Sequence, residues 1–122
     1  MEFVNTARKL EEITLQRSVN FPKRYSFLFT DDFVALSVAI YNDVIDANRR
    51  NPVNQHEAQQ RRDLLLDAYS KLYDMVAQLE IASHLFGVPA TVLLEWTDLI
   101  NTEIKLVQGL MKSDRERYKS LP

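Results

Sequence analysis

The sequence predicts an all-α protein, an up-down-up-down antiparallel four-helix bundle, and three observations lead to this prediction. Apolar residues recur at steps of three and four along the chain, and no segment shows the strict alternation of a half-buried strand. Four prolines and two glycines divide the 122 residues into long helical segments. Short connections between long helices favour antiparallel neighbours. We expect one domain over residues 1–122, since this length buries a sufficient core by itself.

The first predicted helix covers residues 3–17, where one apolar stripe consists of Phe3, Ala7, Leu10 and Ile13. The aromatic-rich segment 18–29 follows. It contains Pro22, which lacks an amide donor, and we therefore expect an extended crossing whose aromatic rings cover one end of the core.

The second predicted helix covers residues 30–48, with Thr30 as its N-cap and two aspartates in its first turn. Two apolar stripes lie side by side along it: Phe33, Leu36, Ile40, Val44 and Ala47, and beside them Val34, Val38, Tyr41 and Ile45. A helix of a lone small bundle needs only one stripe of about 100°. The surplus predicts that a second subunit covers it, in a homo-oligomer.

The third predicted helix covers residues 55–86, with a heptad seam of Leu65, Ala68, Leu72, Met75, Leu79, Ala82 and Phe86. Gly87 is expected to end it in the left-handed conformation, and its polar first turns are expected to project or fray. The fourth helix covers residues 89–112 and begins at Pro89. The charged tail beyond it is expected to be frayed helix or coil.

Several classes of function are excluded by residue types alone. The absence of cysteine excludes disulfides, thiolate metal sites and cysteine nucleophiles, and two isolated glycines exclude a phosphate-binding loop. Glu80 and His84 could share a metal, but the repeated Glu-x-x-His motif of di-iron bundles is missing. We therefore expect no enzyme, no metal and no cofactor.

The amino terminus does not resemble a secretory signal, and the apolar runs are too short to span a membrane. From these two features we expect a cytoplasmic protein without membrane association.

Positive charge is concentrated locally, although the net charge is −2 and the pI is near 5.7. In the predicted bundle one end gathers the arginines of the second connection and the cations of the tail: Arg49, Arg50, Arg61, Arg62, Lys112, Arg115 and Arg117. Lys23 and Arg24 lie at the opposite end. Such a basic end is typical of a phosphate-binding surface, or equally of a solvated end that balances acidic helix flanks.

Four features together resemble the accessory variability determinant proteins of diversity-generating retroelements, in a wider group with the proteins of ribosomal RNA intervening sequences. These features are the long third helix, the helix end Ala47-Asn48, and two short motifs: Phe21-Pro22-Lys23-Arg24-Tyr25-Ser26-Phe27 and Gly109-Leu110-Met111-Lys112-Ser113. The resemblance implies a homopentameric barrel of four-helix bundles. It implies binding to a reverse transcriptase and to template RNA, or an RNA/DNA hybrid, in support of mutagenic cDNA synthesis.

The resemblance carries Lys23 and Arg24 over as basic contacts, and Lys112 as the lysine of the closing motif. The other arginines rest on charge clustering alone. Family members that bind nucleic acid are markedly basic, whereas this chain is acidic. The alternative is therefore a helical protein–protein adaptor of the same fold that binds no nucleic acid.

Overall fold

The computed structural model describes the backbone of residues 1–122 and every side chain except that of Phe27. The chain folds into four α-helices: α1 (Glu2–Ser18), α2 (Asp31–Arg49), α3 (Gln55–Phe86) and α4 (Ala90–Arg117). Within this described chain there is no strand. The prediction of an all-helical four-helix bundle is confirmed.

The core draws its buried side chains from all four helices. Leu10 of α1, Ile40 of α2, Leu72 of α3 and Ile100 of α4 are all fully inaccessible to solvent. Helix α1 packs against α2 and α4, and α3 packs against the same two helices. One apolar stripe of each helix therefore faces inward as predicted, and burial of this apolar surface is the main force that holds the bundle together.

The segment between α1 and α2 is not extended, contrary to expectation. It winds through a 3₁₀ turn at Lys23–Tyr25 and a π turn at Ser26–Thr30, and the latter leads directly into α2. Thr30 has helical backbone angles and its side chain makes no capping hydrogen bond, so its predicted N-cap role is wrong.

These tight turns bring aromatic side chains to the same end of the core, where they pack against each other. Phe21 is buried, with its ring centroid 4.9 Å from that of Phe86 and 6.1 Å from that of Trp96. Phe29 stacks on Phe33 at 5.4 Å. Phe21 and Phe29 thus cover one end of the core, as predicted, with Phe21 in a bend before the 3₁₀ turn and Phe29 in the π turn.

The carboxyl-terminal tail is ordered against the start of α3, also contrary to expectation. Helix α4 continues to Arg117, and the Gln55 amide N–H donates to the Pro122 carbonyl at 2.8 Å. The Gln55 side chain donates to the carbonyls of Tyr118 and Leu121. The polar first turn of α3 therefore does not fray, because the tail and the turn satisfy each other's backbone groups.

Both ends of α3 carry capping interactions. The Asn54 side chain accepts a hydrogen bond from the Glu57 amide, and the Glu57 carboxylate accepts one from the Val53 amide. Gly87 adopts the left-handed conformation with φ of 64°, as predicted. The length of α3 is thus fixed by specific residues at each end.

Glu103 is a carboxylic acid in the interior of the bundle. Its side chain is fully buried on the same side of α4 as Ile100 and Val107, and neither carboxyl oxygen has a hydrogen-bond partner among the described residues. Burial raises the pKa of Glu103 to about 8, because a charged carboxylate is poorly solvated in an apolar core. Glu103 is therefore protonated at neutral pH.

We expect the raised pKa of Glu103 to make the fold less stable as pH rises. Between pH 4.5, its ordinary pKa, and pH 8, the folded state holds a proton that the unfolded state has released. Over this range the free energy of unfolding should fall by roughly 3–5 kcal/mol on account of this group. Urea denaturation at a series of pH values should show that Glu103→Gln removes this dependence.

The exposed Glu80 offers a matched control on α3. The Glu80→Gln variant should keep the pH dependence of the wild-type protein. Equal slopes for wild type and Glu103→Gln would contradict a buried, protonated Glu103.

Candidate nucleic-acid interface

The predicted basic residues lie at two ends of the bundle. Lys23 and Arg24 belong to the 3₁₀ turn, where Tyr25 packs against Phe86 at the end of α3. The other seven surround the start of α3 and the end of α4. Arg61 and Phe86 are separated by about 37 Å along α3, at 1.5 Å per residue. The two groups therefore cannot form one compact site.

Arg61 is buried, with 6% of its surface exposed, and it connects three helices. Its Nε donates to Asp114 Oδ2 at 2.6 Å and its Nη2 to Asp114 Oδ1 at 3.3 Å. Its Nη1 donates to the carbonyls of Ala47 and Arg50 at 3.0 and 3.2 Å. The expectation that Arg61 contacts a partner is corrected here, because its guanidinium is already occupied inside the protein.

Three further arginines are exposed but have local partners. Arg49 lies 3.9 Å from Asp46, and Arg50 donates to the side-chain oxygen of Gln60 at 3.1 Å. Arg117 lies 3.9 Å from Asp114 and 5.7 Å above the Tyr118 ring. Each of these three arginines therefore has a neighbour within the same chain.

The remaining cations come together in a groove between α3 and α4, which we call the basic groove. Its lining residues are Arg62, Leu66, Tyr69, Lys105, Gln108, Gly109, Met111, Lys112 and Arg115. Four of these are cations and none is a carboxylate. In the described structure none of the four cations lies within 4.0 Å of an acidic group.

Helical spacing explains why these cations share one side. Lys105 and Lys112 are seven residues apart on α4, which is close to two turns, and Arg115 follows one turn later. On α3, Arg62 is one turn from Leu66. The three cations of α4 thus lie along one side of the groove, and Arg62 of α3 lies on the other side.

Gly109 leaves the backbone of α4 accessible in the middle of the basic groove. A methyl group added there would meet no atom within 4 Å, so packing does not require a glycine. A glycine inside a helix costs about 1 kcal/mol of stability relative to alanine. Because Gly109 has no side chain, the backbone of α4 is exposed between Lys105 and Lys112.

Together these features make the basic groove suited to an extended anion. Four unpaired positive charges produce a local potential that the net charge of −2 does not reveal. Lys105 and Arg115 are ten residues apart, or about 15 Å along α4. This is longer than one phosphate group and suits several phosphates of one polymer.

The sequence did not single out Lys105, because residues 63–111 contain seven acids and only two cations, Lys71 and Lys105. Two of these acids do not reach the groove: Glu103 is buried, and Glu95 lies 3.6 Å from Arg17, near the opposite end of the bundle. The i, i+7, i+10 spacing of Lys105, Lys112 and Arg115 was the signal that could have found the groove.

Comparison with models of known protein families, with curated proteins and with solved structures finds no match. Among the described residues, no three histidine, cysteine, aspartate or glutamate side chains gather as a metal site would require. Nor does any helix in the described chain have the length and apolar character needed to cross a bilayer.

We expect Arg61→Gln to destabilise the protein strongly, because the buried Asp114 carboxylate loses the guanidinium at 2.6 Å and keeps only the exposed Arg117 at 3.9 Å. Losing one partner of a buried ion pair costs about 3–5 kcal/mol. Urea denaturation should show a loss of this size in the free energy of unfolding. The neighbouring Arg62→Gln variant is the control, and it should change stability by less than about 0.5 kcal/mol. Equal, small effects of both variants would contradict a structural role for Arg61.

Proposed function

We propose that this chain is a non-enzymatic, homo-oligomeric accessory protein that binds RNA through the basic groove. The observation that carries the proposal is the set of four cations without a single carboxylate among the lining residues. Phosphate contacts of this kind supply most of the affinity of sequence-independent nucleic-acid binding, because they release counterions.

The biological setting rests on the resemblance to accessory variability determinant proteins. In this setting the protein also binds a reverse transcriptase and supports mutagenic cDNA synthesis in the cytoplasm. Lys112 belongs both to the closing motif of that resemblance and to the basic groove. The resemblance also carries over Lys23 and Arg24, but their end of the bundle is about 37 Å away, so they cannot contribute to the basic groove.

The proposed topology is up-down-up-down, and long-range contacts support it. Arg61 near the start of α3 bonds Asp114 near the end of α4 and the carbonyl of Ala47 near the end of α2. Trp96 near the start of α4 donates to Thr14 near the end of α1 at 3.0 Å. Each of these pairs joins opposite ends of two helices, as neighbouring antiparallel helices require.

The proposed oligomer is a homopentamer, and the second apolar stripe of α2 supports self-association. Val34, Tyr41 and Ile45 are only partly buried, and Val38 is 36% exposed. The pentameric number comes from the resemblance. Covering this stripe would remove apolar surface from water and stabilise the assembly.

A competing function is that of a protein–protein adaptor that binds no nucleic acid. The acidic net charge of −2 favours it, since nucleic-acid binders usually carry a basic surplus. A measurement of whether the basic groove binds RNA distinguishes the adaptor from the RNA-binding protein.

We expect the double variant Lys105→Gln/Lys112→Gln to weaken RNA binding at least about tenfold at low salt. If each of the four cations contacts one phosphate, the slope of log affinity against log salt should be about −3, since each contact contributes about −0.7. Loss of two cations should make that slope shallower by about 1.4. Fluorescence anisotropy of a labelled RNA over a salt titration measures both quantities.

The matched control is Lys23→Gln/Arg24→Gln, which removes the same charge at the opposite end. It should leave RNA affinity within about twofold, because the roughly 37 Å between Lys23/Arg24 and the basic end exceeds the screening length of about 10 Å at 0.1 M salt. Equal losses in both double variants would show that total charge, not the basic groove, governs binding. Absence of RNA binding by the wild-type protein at low salt would favour the adaptor.

We expect light scattering to give a mass near 71 kDa, five times the 14.2 kDa of one chain. Val38→Asp should shift the mass toward that of one chain, because a charge would be buried in the subunit contact. Val53→Asp alters an exposed valine outside the stripe and should leave the mass unchanged. A wild-type mass near 14.2 kDa would contradict self-association through this stripe.

A further inference from the structure

The two sides of the basic groove differ in chemistry. On α4 the lining is cationic, with Lys105, Lys112 and Arg115. On α3 it is apolar beyond Arg62, where Leu66 and Tyr69 line the groove. The groove therefore presents a charged side and an apolar side to the same ligand.

The apolar side continues along α3 to Tyr73. The Tyr73 ring lies edge-on to that of Tyr69, with centroids 5.1 Å apart and an interplanar angle of 69°. Tyr69 packs against the core, whereas Tyr73 is 51% exposed. Leu66 is also exposed, at 39%. Tyr73 thus lies one helical turn beyond the groove lining, in edge contact with Tyr69, and half of its surface is accessible to solvent.

We infer that the basic groove takes single-stranded nucleic acid, with the phosphates over the α4 cations and a base stacked on Tyr73. This inference rests on the proposed function and specifies its substrate class. A single strand exposes its phosphates along one edge and its base faces along the other, which matches the two sides of the groove. In a duplex the base faces are stacked on each other and cannot reach Tyr73.

The spacing of the two rows is compatible with this arrangement. Leu66 and Tyr73 are seven residues apart on α3, or about 10 Å, and the α4 cations span about 15 Å. Both lengths correspond to a few nucleotides. Aromatic stacking is tolerant of sequence, because every base has a π-face, so we expect little base preference.

The test compares a labelled single-stranded oligoadenylate of about 12 nucleotides with a duplex of the same length, by fluorescence anisotropy. Tyr73→Ala should weaken single-strand binding by about 5- to 150-fold, the usual effect of removing one stacking ring. The slope of log affinity against log salt should not change, because no cation is lost. Duplex affinity should stay within about twofold of the wild-type value.

Tyr73→Phe is the matched control, because it keeps the ring and removes only the hydroxyl. It should retain wild-type affinity for the single strand. Since Tyr73 is half exposed, the thermal unfolding midpoint of both variants should stay close to that of the wild-type protein.

The remaining outcomes separate this inference from the proposed function. Unchanged single-strand affinity in Tyr73→Ala, with a loss in Lys105→Gln/Lys112→Gln, would overturn the stacking role and leave RNA binding by the groove intact. Equal losses for single strand and duplex in Tyr73→Ala would also overturn it. Failure of the wild-type protein to bind either probe at low salt would overturn both proposals.

Discussion

The buried ion pair between Arg61 and Asp114 is the constraint on which the basic end of the protein depends. It fixes where α4 lies against α3 and holds the end of α2 through the carbonyls of Ala47 and Arg50. A buried ion pair adds little net stability compared with well-packed apolar residues, but its hydrogen bonds restrict how the two helices can pack. Because adjacent residues on a helix point about 100° apart, burying Arg61 and Asp114 turns Arg62 and Arg115 outward into the groove.

Two buried polar side chains elsewhere in the core, Thr14 and Glu103, differ in whether they have hydrogen-bond partners. The Thr14 hydroxyl accepts from the Trp96 indole and donates to the Leu10 carbonyl, so both of these buried side-chain groups are satisfied. Glu103 has no such partner, and the core tolerates it only as a neutral acid. Above the ordinary pKa of a glutamate, the stability of the bundle therefore depends on pH through Glu103 of α4.

The helical stripes, the bounds of α3 and the left-handed Gly87 could be predicted from the sequence, because each depends on local spacing. The role of Arg61 could not be read from charge clustering, since residue type alone assigns arginine to the surface. Its position continues the heptad seam of Leu65, and Asp114 likewise lies seven residues beyond Val107. Opposite charges at seam positions of two helices indicate a buried pair. The tight turns before α2 depend on distant aromatic contacts, which local propensity does not contain.

The chain can be acidic overall and still have a basic groove, because some of its acids are paired with a cation or protonated. Asp114 is neutralised by Arg61 inside the protein, and Glu103 is protonated at neutral pH. Asp43 bonds Lys71 at 2.6 Å, away from the lining of the groove. A polyanion seated in the groove therefore contacts a lining that contains four cations and no carboxylate. Net charge sets the long-range field of this protein, whereas burial decides which charges a bound strand would contact.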